Sequence, residues 1–123
     1  MKTLAQRLVA CKHFRWMSGM HVHAGRVLDV RGAEICLADE GATEDGNTVR
    51  WVDSAGLEPY LPDPATLGCL LALVREAHGD PSLYCTVQLD VGYPWWVVCD
   101  SADRVVAGAS TEAEALVAAL EAA

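Results

Sequence analysis

No stretch of this 123-residue chain approaches the roughly 20 consecutive apolar residues that a bilayer crossing requires. The opening Met1-Lys2-Thr3-Leu4-Ala5-Gln6-Arg7 is too polar to be the apolar core of a secretory signal, so the expected compartment is the cytoplasm. No Cys-x-x-Cys pair occurs. The five cysteines, Cys11, Cys36, Cys69, Cys85 and Cys99, are odd in number and widely spaced. That pattern argues against a disulfide framework or a zinc clip and for buried, reduced thiols. Also missing are a G-x-S-x-G elbow, a P-loop, an H-E-x-x-H pair and a dinucleotide fingerprint. We therefore read the chain as a binding protein without cofactor or assigned catalytic residue.

Positive charge is scarce over most of the length. Beyond residue 31 only Arg50, Arg75 and Arg104 stand against sixteen acids, whereas residues 1–31 hold six cations against Asp29 alone. The overall formal charge is −8. Such a balance disfavours direct binding to a phosphate backbone and lets the acidic body steer a basic partner. The basic segment has two readings, a site of its own or an internal complement to the acidic body. With 52% apolar and 21% charged residues, the composition is that of one globular domain over 1–123.

Periodicity predicts an α+β fold. Thr3 and Gln6 have the spacing of a capping box, and Leu4, Leu8 and Cys11 continue a helix to about His13. Val27–Val30, Glu34–Ala38 and Thr48–Val52 read as three short strands separated by turn residues, an antiparallel meander. Asp63, Pro64 and Gly79 bound the strongest helix signal, with Leu67, Leu70, Leu71 and Val74 as its inner stripe. Tyr84–Val91 alternates, and Trp95–Cys99 and Val105–Ala107 follow as further strands. Thr111 and Glu114 open a last helix with Ala113, Leu116, Val117 and Leu120 on one face. The predicted order is αβββ–αβββα, with β-meanders layered against helices and halves meeting near residues 56 and 57.

Three groups of residues could carry a function. The first is the acidic surface, with Asp39, Glu40, Asp45 and Asp53 around the first meander, joined by Tyr93 and Trp96. Trp95 and Trp96 are consecutive on a strand, so one indole points inward and its neighbour outward, where an aromatic makes a binding hot spot. The second is the basic aromatic segment of Lys12, Arg15, Trp16, His21, His23 and Arg26. Cations with a stacking ring suit a small phosphorylated nucleotide. His21 and His23 are expected on one strand face, but Cys11 and His13 point apart on a helix, so no metal site is assigned. The third comprises two Cys–His pairs, Cys11 with His13 and Cys85 with His78, which would need an orienting group to act as nucleophiles.

The segment Asp63-Pro64-Ala65-Thr66-Leu67-Gly68-Cys69-Leu70-Leu71-Ala72-Leu73-Val74-Arg75-Glu76-Ala77 resembles one common in small phage and prophage proteins of the α-β-α sandwich type. The closing Thr111-Glu112-Ala113-Glu114-Ala115-Leu116-Val117-Ala118-Ala119-Leu120-Glu121-Ala122-Ala123 does so too, and the similarity covers roughly residues 60–123. It implies a phage origin and a fold, and no activity. The expectation is a counter-defence inhibitor that occupies a host bacterial immunity protein through its acidic, Trp-bearing surface. Sequestration of a nucleotide signal and a minor virion role are the alternatives, and homo-oligomer formation is left open.

Overall fold

The first helix opens on a reciprocal cap. In the computed structural model, which describes residues 1–23, 25–39, 49–89 and 92–123, the Thr3 hydroxyl accepts the Gln6 amide at 3.2 Å. The Gln6 side chain in turn accepts the Thr3 amide at 2.9 Å. Helix α1 (Leu4–Ala10) stops short of the predicted His13. Cys11 is extended, its amide already bonded to Leu8 O at 3.0 Å, and a further turn links Phe14 to Cys11. The apolar recurrence at Cys11 therefore overruns the helix.

The chain divides into two compact units, one of residues 1–14 with 70–123 and one of residues 15–69. Helix α1 groups with residues 70–123, and residues 57–69 with the first meander.

The 15–69 unit is built on one antiparallel sheet in the order β1 (His21–Val22), β2 (Gly25–Arg31), β3 (Glu34–Asp39) and β4 (Val49–Asp53). Strand β1 was not expected, so the observed order is αββββ–αβββα. Register separates two faces. Val27 opposes Leu37, which opposes Arg50, and Val30, Ile35 and Val52 align on the same inner side. Val22, Val27, Ile35 and Leu37 are buried there with Met20. Asp29, Cys36 and Trp51 align on the outer side, as do Arg31, Glu34 and Asp53. A bulge between Val27 and Asp29 keeps the alternation in phase across the strand. Beyond β4, Ser54 donates through both its amide and its hydroxyl to Ala33 O, at 2.8 and 2.7 Å, and the chain runs as a connector to Asp63.

Helix α2 (Pro64–His78) begins as its sequence predicts. Asp63 Oδ2 accepts the Thr66 amide at 2.8 Å, and Gly79, at φ +64°, ends the helix where a side chain would be strained. Its buried residues are Thr66, Leu70, Leu73 and Val74, while Leu67 and Leu71 are only half-buried. The predicted stripe is thus rotated about the helix axis, toward the side on which Thr66 is held.

The other unit carries the sheet β5 (Tyr84–Gln88), β6 (Trp95–Cys99), β7 (Val105–Ala109), in that order and antiparallel. Helix α3 (Glu112–Glu121) packs on all three strands and α1 packs on α3. The Thr111 hydroxyl accepts the Glu114 amide at 3.1 Å, but the Glu114 carboxylate takes the Ser110 hydroxyl instead, so only half of the second capping box forms. Leu8, Leu83, Val98, Leu116 and Leu120 make the core, and the Arg7 guanidinium makes two bonds to the Glu121 carboxylate. Strand β5 is shorter than predicted. Leu89, within the predicted strand, lies past its end and is 70% exposed. Among the described residues no helix is long and apolar enough to cross a membrane.

Leu116 is fully buried between α3 and the sheet, whereas Val105 is 59% exposed. Leu116→Ala should remove about 3 kcal/mol of stability, and Val105→Ala no more than about 0.5 kcal/mol. Urea unfolding of both variants checks the contrast.

Candidate functional site

The connector after β4 builds a cavity. The Tyr60 amide donates to His21 O at 2.7 Å, and the His21 amide donates to the Thr66 hydroxyl at 2.9 Å. With Pro59 buried, these bonds hold residues 56–60 against the inner face of the first sheet. Between them lies a cavity of about 440 Å³ with Val22 and Leu37 as its apolar wall. Arg50, Glu58, His23 and Tyr60 bring polar groups to it. The His23 and Tyr60 rings meet edge to face with centroids 5.9 Å apart, and the Arg50 guanidinium lies 3.3 Å from Asp39 Oδ1. A second, more open hollow of about 520 Å³ lies beside the end of α2, at Ala72, Gly79 and Pro81. Arg75 lines it too, but its Nε already donates to Leu83 O at 2.7 Å.

The outer face of the same sheet is of another kind. Cys36 and Ala38 are small and buried at its centre. Around them Arg26, Asp29, Arg31, Glu34, Val49, Trp51 and Asp53 are all exposed. Trp51 is 37% exposed, and the Arg31 guanidinium carbon sits 4.4 Å from the centre of its ring. A cation over an indole face at an exposed position contributes roughly 0.5–1 kcal/mol and holds the ring flat. Trp51 had no role in the sequence reading. The available signal was the alternation of β4, which sends Trp51 opposite to Arg50 and Val52.

The sequence candidates are dispersed over these surfaces. Asp39 pairs with Arg50 at the cavity, and Asp53 lies on the outer face with its carboxylate accepting the Ala55 amide at 2.9 Å. Glu40 and Asp45 lie outside the described residues. Tyr93 is 60% exposed. Trp95 and Trp96 are both half-buried. Trp96 aligns with Val87 and Ala109 on the side that α3 covers, and Trp95 with Gln88 on the other. There the Trp95 indole lies so close over Gly108 that an added Cβ would meet its Nε1 at 2.8 Å.

In the basic segment, Lys12 belongs to one unit and Arg15, Trp16, His21, His23 and Arg26 to the other. His21 opposes Arg26 on β1 and β2, with its Nδ1 3.9 Å from Asp63 Oδ1. His23 goes instead to the cavity. The expected common face for the two histidines is not formed, because β1 ends at Val22 and strand alternation does not reach His23. Among the described residues no three His, Cys, Asp or Glu side chains gather as metal ligands would.

The Cys–His pairs have other engagements. His78 Nε2 lies 2.7 Å from Ala119 O and His13 Nε2 3.2 Å from Ala123 O. Burial, and secondarily Glu112, push the Cys85 thiol up to about 11, the reverse of nucleophile activation. Two aspartates in turns are shifted the other way. The Ser101 amide at 2.9 Å holds Asp80 below the usual aspartate range. The Arg104 amide at 3.0 Å, with that of Ala102, does the same for Asp100. Asp103 adopts φ +60° in this turn and accepts the Tyr84 hydroxyl at 2.9 Å.

No family model matches this sequence, and no curated protein or solved structure shows significant similarity to it.

The bond to Asp103, and then contact with Cys99, raise the Tyr84 phenol from 10 to about 12. The fold thus favours the neutral phenol: its stabilisation is whole below pH 10 and is lost as pH rises toward about 12. In Asp103→Ala the Tyr84 titration, followed by ring carbon chemical shifts, should move down toward the ordinary value.

Proposed function

We propose that this chain is a non-enzymatic binding protein of phage origin that occupies a host bacterial protein through the outer face of its first sheet. The observation that carries the reading is Trp51, exposed and braced by Arg31, with Val49 beside it and Asp29, Glu34 and Asp53 on the same face. An aromatic centre with a charged rim is the usual anatomy of a protein interface, and its tryptophan is the residue type most often found to dominate affinity. The acidic surplus beyond residue 31 favours a basic partner and speeds encounter with it. The action suggested by the phage resemblance is inhibition of a host immunity protein in the bacterial cytoplasm. Sequestration of a phosphorylated signal by the basic segment has weaker support, since His23 lines the inner cavity while Arg26 lies on the outer face of the sheet.

The test is phage plating on bacterial strains that carry different immunity systems, with and without expression of this protein. Expression should restore plating on at least one defended strain. Trp51→Ala should weaken binding to the responsible host protein by about thirtyfold, as loss of a hot-spot aromatic does. Tyr93→Ala should leave that binding unchanged. Absence of rescue in every strain, or full rescue by Trp51→Ala combined with Asp53→Lys, would sink the proposal.

A further inference from the structure

The cavity on the inner face of the first sheet has no part in the partner-binding reading, and its chemistry is specific enough to name a ligand class. Its volume of about 440 Å³ falls within the range of small-molecule sites, roughly 300–1,000 Å³. Val22 and Leu37, both nearly inaccessible, give it an apolar wall, and the His23 and Tyr60 rings add aromatic surface. An apolar wall with an aromatic ring beside it favours a ligand that has apolar or aromatic faces to bury.

The polar groups then choose among such ligands. Arg50 offers only donors, Glu58 only acceptors, and His23 one of each when neutral. A ligand that satisfies them presents both donors and acceptors around the edge of its ring. Net charge narrows the choice again. The Arg50 guanidinium is already neutralised by Asp39, which both its Nε and Nη2 reach at 3.3 Å. Glu58 adds an uncompensated negative charge among the described lining residues. A phosphate brought here would have to displace a carboxylate from Arg50 and approach another, and neighbouring like charges disfavour it.

We propose that this cavity binds an uncharged planar heterocycle of the nucleobase type, as free base or nucleoside, with the ring against Val22 and Leu37 and its edge on Arg50 and Glu58. The site is independent of the protein partner, because the cavity and Trp51 lie on opposite faces of the sheet. Connector residues 56–60, pinned to His21 through Tyr60, form the wall that closes over the ligand.

Titration of the purified full chain with adenosine, guanosine, cytidine and uridine, followed by amide NMR, tests this directly. At least one nucleoside should bind saturably at low-millimolar concentration or below, moving the amides of His23, Leu37, Gly56 and Tyr60. Its 5′-monophosphate should bind no more tightly. Arg50→Met and Glu58→Gln, both at exposed positions, should each weaken binding about tenfold, the effect of one lost hydrogen bond to a charged group. The idea is overturned if no nucleoside moves those amides, or if the monophosphate binds more than about tenfold tighter. Binding that ignores both substitutions overturns it equally.

Discussion

The arrangement of residues 15–69 depends on one hydroxyl. Thr66 is the one buried polar side chain among the described residues, and its Oγ1 does two things at once. It donates to the cap residue Asp63 at 3.2 Å and accepts the amide of His21 at 2.9 Å. The start of α2 and the short strand β1 are thereby tied together through a pair of bonds to an inaccessible hydroxyl. The carbonyl of the same His21 takes the Tyr60 amide, so both backbone polar groups of one strand residue are consumed by the connector and the first turn of the helix. From this follow the existence of β1, the course of the connector and the presence of a cavity. An alanine at position 66 would remove the acceptor for the His21 amide as well as the donor to Asp63.

Much of the architecture was legible because its signals are local. Capping residues lie three apart in Thr3–Gln6 and Thr111–Glu114, Asp63 precedes α2 and Pro64 opens it, alternation marks β5, and turn residues bound the other predicted strands. What escaped was set by partners distant in the chain. His21–Val22 is too short for a periodic signal and is a strand only through its pairing with β2 and its bonds to Tyr60 and Thr66. The inner stripe of α2 was misplaced because apolar spacing allows several neighbouring faces on a helix that is apolar over most of its circumference. Helix α1 ended early because Cys11 fits an apolar pattern equally well as a helical or as an extended residue.

The same distinction governs the surfaces. Exposed aromatics are visible in a sequence only when their neighbours define a face, and Trp51 needed the β3–β4 register to show that it shares one with Asp29, Glu34 and Asp53. Trp95 and Trp96 read as one inward and one outward residue, yet both are half-buried, Trp96 on the side of α3 and Trp95 across Gly108. The histidines and cations of residues 12–26 looked like a cluster because they are close along the chain. A strand that ends at Val22 leaves His23 at the cavity, while His21 pairs across from Arg26.

The interruption of one unit by the other bears on the order of events during synthesis. Residues 15–69 are continuous and hold all of their own sheet pairings, so these partners have all emerged before α3 is translated. Helix α1 is made well before its partner α3: the bonded Arg7 and Glu121 are 114 positions apart. At ordinary elongation rates of about 5–20 residues per second, several seconds separate the two. During that interval the apolar side of α1, centred on Leu8, has no native surface to cover it from α3, and a helix of 7 residues is too short to persist by itself. The α1 segment therefore waits without its native cover until α3 has been made.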